Sequence, residues 1–501
     1  MSRPRSAEFL RNTFANVALK IVSIALGLIL TPLFVRNIGT ELYAIWVFNF
    51  TLLGYFYIVD SGLSSGVVKH VAEAVAKGDD DQLSRVITSS ILVYLCFGVV
   101  VLGISFALAQ PILGLFNISE EHLRISISLF KISGLFAVAL WPLMVFPSVL
   151  QALLENIPLN LVKGGAAIVQ QALMIVAVTI GMSLDSIISM YFGVSIISGI
   201  ILAVVAFRKI GGFTFSGFDF RLFRSILGFS FALLVLEFIA LLGFQADKVI
   251  IAYFVPIASV AYYDVITKLF YQIRGLYGMF LAVVQPMVFS ATAKMDKGFI
   301  QSMSLRGTRF VNMAYVPLVV LGVAVSKPFI ELWMGSEFGQ FGYWSSFFLL
   351  QYVLSPVVGV LGSIAIGMSK VRSIQVISAV SVVFNVIISI ILVQHMGFTG
   401  VLVGTVIMSF VVVPVAYVIY CSTIDVDWRV PLRANWKITI THFFFIVISS
   451  LTAQATVENW FSLLAFSGTF LLFVYSILYM FMIDEEEKQW LRKFMRARTS
   501  L

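Results

Sequence analysis

Apolar runs of membrane-crossing length recur along the chain, each closed by a charge, a Gly or a Pro. A bilayer core of about 30 Å takes roughly 20 apolar residues as a helix, so cutting at those interruptions predicts the spans. Fourteen result: 13–35, 42–62, 88–110, 125–149, 160–181, 187–207, 226–244, 259–283, 308–330, 343–366, 373–393, 400–421, 438–456 and 461–483. The run behind the basic segment Met1 to Asn12 is too long for a signal peptide and has no small-residue cleavage site, so the first span is expected to be retained.

Charge then sets the orientation. With the N-terminus inside, the cytoplasmic segments collect most of the 33 Lys and Arg residues, among them Arg3, Arg5, Arg11, Arg208, Lys209, Arg221 and Arg224. The outside segments hold only Arg36, Arg124, Lys248 and Lys327, while Lys20, Lys131, Lys268 and Arg274 fall within spans. An asymmetry kept up through alternate loops predicts an N-in, C-in arrangement, because one miscounted span would invert it. The expected fold class is an all-α polytopic membrane protein with 14 transmembrane helices.

Composition agrees, since 60% of the 501 residues are hydrophobic and 12% charged, against about 25% charged in soluble domains. A water-soluble enzyme is excluded, and the net charge of +8 reflects membrane topology; no nucleic acid is expected as a partner. Cys96 and Cys421 lie in apolar runs far apart, which gives neither a disulfide framework nor a C-x-x-C metal site. The longest loop, 63–87, is cytoplasmic, and its run Asp79, Asp80, Asp81 reads as a solvated loop beside a helix cap. Glu485 to Arg498, with Trp490, Leu491, Phe494 and Met495, reads as a basic amphipathic tail on the inner leaflet.

Ionisable groups inside a bilayer cost a few kcal/mol each on insertion scales, so those that persist should face a cavity or a partner. At 100° per residue Asn12, Thr13, Asn16, Lys20, Ser23, Gly27 and Thr31 share one face of span one. Asn49 and Asp60 share a face of span two, and Asp60 is expected near Lys20. Span four carries Arg124, Ser128 and Lys131 on one stripe. Span eight carries a band of Asp264, Thr267, Lys268, Tyr271, Arg274 and Gln285, in which Asp264 at i, i+4 competes with Glu237 of span seven for Lys268. Span eleven adds Ser378, Ser381, Asn385 and Ser389. Groups near the interface, namely Arg124, Asp60, Lys163 and Asn160, are equally read as snorkelling side chains, and the Ser and Gly stripes as helix packing.

The deep cations outnumber the deep anions, and a cavity so lined favours an anionic, phosphate-bearing cargo. Lys20, Lys131, Lys268 and Arg274 are the expected substrate-binding cations, with Asn16, Asn49, Tyr271 and Asn385 as polar and aromatic lining. Tyr271, Trp46 and Trp141 offer faces for sugar stacking. Glu237, Asp264 and Asp60 are the ion-coupling candidates. His70, His122, His395 and His442 are scattered, there is no Walker loop, and no cofactor, metal or catalytic residue is expected. The segments Ile38 to Trp46 and Val255 to Tyr263 follow spans one and seven and resemble each other faintly; six spans separate them, which predicts parallel repeats around a central cavity and alternating access.

Several motifs stand in order: Arg36-Asn37-Ile38-Gly39-Thr40-Glu41-Leu42-Tyr43-Ala44-Ile45-Trp46, Lys69-His70-Val71-Ala72-Glu73 with Gly78-Asp79, Asp247-Lys248-Val249-Ile250-Ile251-Ala252-Tyr253-Phe254, Glu331-Leu332-Trp333-Met334-Gly335, and Gly397-Phe398-Thr399-Gly400. In these the chain resembles the polysaccharide transporter family, the O-antigen and exopolysaccharide flippases of the multidrug, oligosaccharidyl-lipid and polysaccharide exporter superfamily, which usually has Gly in place of Ala44. The resemblance implies two six-helix lobes, 1–225 and 226–421, and an additional helix pair with its tail at 422–501. It also implies a monomer in the bacterial inner membrane that flips undecaprenyl-pyrophosphate-linked oligosaccharide outward, alongside polysaccharide assembly machinery. Two alternatives remain open at this point: a drug or organic-ion antiporter on the same scaffold, which would want an acidic lumen, and a glycan polymerase or ligase, which would want a large outer loop.

Overall fold

The computed structural model describes residues 6–211, 214–215, 217–293 and 297–485, among which there is no strand. In chain order the α-helices are α1 Ser6–Ile38, α2 Thr40–Lys77, α3 Asp80–Ala107, α4 Ala109–Leu113, α5 Glu120–Leu143, α6 Val145–Ala152, α7 Asn156–Thr179, α8 Leu184–Ile210 and α9 Phe220–Phe254. They continue as α10 Ala258–Ala293, α11 Lys297–Ser302, α12 Thr308–Met334, α13 Gly339–Leu349, α14 Ser355–Gly367, α15 Val371–Met396, α16 Phe398–Thr423, α17 Arg429–Thr456 and α18 Trp460–Ile477. Among the described residues, twelve helical stretches are long and apolar enough to cross a membrane. The chain is thus a multi-pass integral membrane protein. The expected spans seven and eight fall on α9 and α10, helices of 35 and 36 residues that are not among the twelve. The expected amphipathic tail lies, beyond Glu485, outside the described residues.

Local chemistry explains the breaks. Gly39 has φ of +89° and Gly78 of +67°, a backbone region L side chains avoid, and these turns bound α2. Gly78 N donates to Val75 O and Asp79 N to Ala74 O, closing the last turn, while Asp79 Oδ1 accepts from Gln82 N at 2.7 Å and caps α3. The acidic run is therefore a helix cap, with Asp80 and Asp81 in the first turn of α3. Span four is interrupted: α5 ends at Leu143 and α6 begins at Val145, because the ring of Pro147 is incompatible with a helical carbonyl at Leu143. Span ten is likewise cut into α13 and α14 ahead of Pro356.

Backbone packing divides the chain into residues 1–261 and 262–501. In the first unit α3 packs on α5, α1 on α7 and α2 on α9. Its core centres on Leu63, Val67, Tyr94, Trp141, Val149 and Leu202. In the second unit α12 is the buried central helix, flanked by α13, α17 and α18, while α15 pairs with α16. Asn435 ties α17 to α12: its Oδ1 accepts from Asn312 Nδ2 and its Nδ2 donates to Thr308 Oγ1, each at 3.2 Å. Such interhelical amide bonds are a usual adhesive where hydrocarbon offers no competing partner. Within the first unit α9 packs on α2.

Candidate functional site

The break at Pro147 opens a cavity of about 200 Å³ in the first unit. Asp60 and Ser64 of α2, Ser148 and Gln151 of α6, Lys163 of α7 and Ser198 of α8 give it polar walls, and Leu143, Met144 and Pro147 line the break itself. Tyr94 Oη donates to Asp60 Oδ1 at 2.8 Å, and the Ser64 and Ser148 hydroxyls bond to each other at 2.7 Å. Gln170 holds the Ser195 hydroxyl at 2.7 Å from behind. Asp60 and Lys163 are within electrostatic reach but form no ion pair among the described residues.

At the other end of α2 three groups converge. Ser119 Oγ donates to Glu41 Oε1 at 2.6 Å and lies 3.0 Å from His122 Nδ1, which is itself 3.2 Å from Glu41 Oε1. Serine, histidine and carboxylate invite comparison with a hydrolytic triad. The geometry rejects it: both contacts of the imidazole use Nδ1, so no second ring nitrogen relays a proton between serine and carboxylate. The cluster instead seats the loop before α5. Asn117 in that loop grips the turn after α9: its N donates to Ala252 O at 2.9 Å, its Nδ2 to Tyr253 O at 2.5 Å, and its O accepts from Ile257 N at 2.9 Å.

In the second unit, α10 carries the charged band. Lys268 Nζ lies 3.0 Å from Asp264 Oδ2, the pair one helical turn apart, with side-chain exposures of 28% and 10%. Further along the helix, Arg274 is within electrostatic reach of Tyr315 and Tyr352. These belong to an aromatic wall in which Phe270 meets Phe348 at 4.5 Å and Tyr352 at 4.8 Å, and Tyr277 meets Tyr315 at 5.1 Å. Tyr277 fits because Gly359 leaves room, since a Cβ there would overlap its hydroxyl.

A model of the polysaccharide biosynthesis protein family matches residues 9–292, more than half of the chain. The chain belongs to this family. The search of curated proteins finds no match. Among solved structures, the chain is similar to the lipid II flippase MurJ in an inward closed conformation, with a TM-score of 0.75, 15% identity, and coverage of 93% of this chain and 98% of that one. It is also similar to a multidrug resistance MATE family transporter of the MOP superfamily in an inward-facing conformation, at TM-score 0.63, 15% identity, 82% and 98% coverage. A third likeness, at TM-score 0.55, 16% identity, 85% and 99% coverage, is to a MOP superfamily transporter from Pyrococcus furiosus, described by the words "reverse polarity of binding pocket suggests different function". At these identities the likenesses establish the fold: this polysaccharide biosynthesis protein has the helical architecture of flippases and transporters.

Within each unit of this polysaccharide biosynthesis protein the expected site residues have the following places. Lys20 is exposed and is not among the residues lining the Asp60 cavity; Lys163 lines it, and Tyr94 bonds Asp60. Lys131 is half-buried, its ammonium 5.6 Å from the centroid of the Phe106 ring. Asn49 is buried, with Nδ2 donating to Ser133 Oγ at 3.1 Å and Oδ1 without a partner among the described residues. Asn385 Nδ2 donates to Thr405 Oγ1 at 3.1 Å and so joins α15 to α16. Tyr271 is half-buried with its ring edge-on to Phe270 at 5.3 Å. Asp264 and Lys268 meet, and Arg274 shares their helix. The side chains of Asn16 and Glu237 lie outside the described residues. Trp46 and Trp141, 8% and 2% exposed, are packed among other rings and have no face for a sugar. Sequence reasoning missed Tyr94, Asn117 and Ser119; the Pro142 and Pro147 pair was the available signal for the helix break behind the cavity.

Proposed function

We propose that this protein is a flippase that carries a lipid-linked oligosaccharide, attached through undecaprenyl pyrophosphate, from the inner to the outer leaflet of the bacterial inner membrane. The observation that carries the reading is the α10 band. Asp264 is met by Lys268, and the guanidinium of Arg274 follows on the same helix beside an aromatic wall, so the band carries more positive charge than negative. That combination suits pyrophosphate oxygens, through forked and point-charge donors. Family membership in polysaccharide biosynthesis and the fold of a lipid II flippase support the same cargo class. In the proposed cycle alternating access follows from the scaffold.

Coupling to an ion gradient completes the reading, with Glu237, Asp264 and Asp60 as the carboxylates available to it. A multidrug or organic-cation antiporter on this scaffold would need a lumen of the opposite sign. The Pyrococcus furiosus transporter is described in terms of pocket polarity and different function, and polarity is the discriminant here as well.

Deleting the gene and extracting the inner-leaflet lipids tests the reading: a lipid-linked saccharide should accumulate. Complementation with Lys268→Gln or Arg274→Gln should fail to restore export while the protein stays at normal abundance in the membrane. Normal export from both variants overturns the α10 assignment, and absence of any accumulated lipid-linked glycan overturns the flippase.

A further inference from the structure

The first-unit cavity is too small for that cargo. Sites for drug-sized ligands run to about 300–1,000 Å³, whereas this one offers about 200 Å³. What distinguishes it is charge. A half-buried carboxylate and an exposed ammonium face one small space and do not pair with each other, which leaves both able to receive a ligand.

We propose that the cavity binds a small zwitterion with a primary ammonium at one end and a phosphate at the other, the chemistry of a phosphoethanolamine headgroup. Tyr94 occupies one oxygen of Asp60, so Oδ2 remains to accept from an ammonium. Lys163 supplies N–H donors to the phosphate, and Ser198 and Gln151 stand on the walls between. Lys163 opposes a bare cation and Asp60 opposes a bare anion, and a zwitterion matches both charges at once. Depth agrees with a headgroup. Asp60 lies about 30 Å along α2 from its outer end at Thr40, at the inner edge of the hydrocarbon, and Gln151 and Lys163 are exposed there. Two sources present this chemistry: phosphatidylethanolamine of the inner leaflet, and free phosphoethanolamine from the cytosol. The site stands independently of the flippase reading, because its readout is binding and not export.

The test reconstitutes the full chain into phosphatidylcholine discs, with and without phosphatidylethanolamine, and follows the unfolding temperature. Trimethylated choline cannot donate to Asp60, so wild type should be stabilised by the ethanolamine lipid and not by added choline lipid. Asp60→Asn and Lys163→Gln should each weaken apparent affinity roughly tenfold or more, the loss expected for one charged hydrogen bond. Lys163→Arg should retain the response. Free phosphoethanolamine titrated into choline-only discs separates the sources: stabilisation there assigns the site to the soluble zwitterion, and stabilisation by the lipid alone assigns it to the headgroup. A wild type indifferent to both, or variants that respond as wild type does, overturns the proposal and leaves a water-filled cavity. Should Asp60→Asn not fold, the Lys163 pair of variants decides the question alone.

Discussion

Two places in this protein set a carboxylate and an ammonium at membrane depth, and they resolve the same electrostatic problem differently. On α10, Asp264 and Lys268 are one turn apart on one helix and meet at 3.0 Å. In the first unit Asp60 and Lys163 come from α2 and α7 and face each other across a cavity. Helix geometry closes the first pair without help, since positions i and i+4 are neighbours on any helix. The second pair depends on a broken helix between its members, and the break keeps them apart. The closed pair fixes its two charges in place beside Arg274 on the same helix, whereas the open pair leaves a space between its members.

The comparison is broken most forcefully at the closed pair. Asp264→Asn removes the 3.0 Å contact with Lys268 and should cost about 2 kcal/mol, less than a fully buried pair because the lysine keeps some exposure. Asp264→Asn combined with Lys268→Gln should recover much of that loss. Unfolding temperatures of the purified variants measure it, and a double variant no more stable than the single one would show that the two charges are not coupled. Next in size is the aromatic wall beside them. Gly359→Ala drives a methyl group into the Tyr277 hydroxyl and should cost about 2 kcal/mol by overpacking. Tyr277→Phe in the same chain should return part of it, and equal stabilities with and without that second change would dismiss the contact.

At the open pair, removal of one donor should matter less. Tyr94→Phe takes the 2.8 Å hydrogen bond from Asp60, but the carboxylate faces a cavity wide enough for water to replace the hydroxyl. A loss of about 1 kcal/mol is expected, against the larger cost of a charged hydrogen bond broken in a dry interior. If Tyr94→Phe destabilises as much as Asp264→Asn, the cavity is dry and the contrast between the two pairs disappears.

What could be read from the chain follows the same division between local and distant. Span positions rest on runs of about 20 residues, and twelve membrane-length helices are present among the described residues, while the expected loop 63–87 is mostly helix, as α2 runs on to Lys77 and α3 starts at Asp80. The Asp264 to Lys268 pair rests on a spacing of four and is present, whereas Asp79 to Asp81, expected as a solvated loop, cap and open α3. Asn385 shows the limit of facial periodicity: its stripe is real, but it meets Thr405 of the next helix, and angle along one helix does not say which neighbour covers it. Trp46 and Trp141 are similar, since ring packing from several helices buries them. Lys163 was visible as a charge near a helix end, yet its facing Asp60 depends on α5, α6 and α8, which no spacing within α7 encodes.

The outer cluster offers the mildest and most discriminating perturbation, because it brings a carboxylate into contact where the inner cavity holds one apart. Glu41 accepts from Ser119, and Asn117 two residues earlier binds the turn after α9 through three hydrogen bonds. Ser119→Ala removes one side-chain bond at an exposed site and should lower stability by less than about 1 kcal/mol, as solvent takes over Glu41. Its effect on motion should be greater than its effect on stability, since the loop that grips the α9 turn loses its anchor. Hydrogen exchange of the amides at Asn117 and Ile257 should therefore rise in Ser119→Ala while exchange within α3 and α5 stays unchanged. Uniform exchange across all three segments would mean that Glu41 and Ser119 merely touch, and that the grip on α9 is held by Asn117 alone.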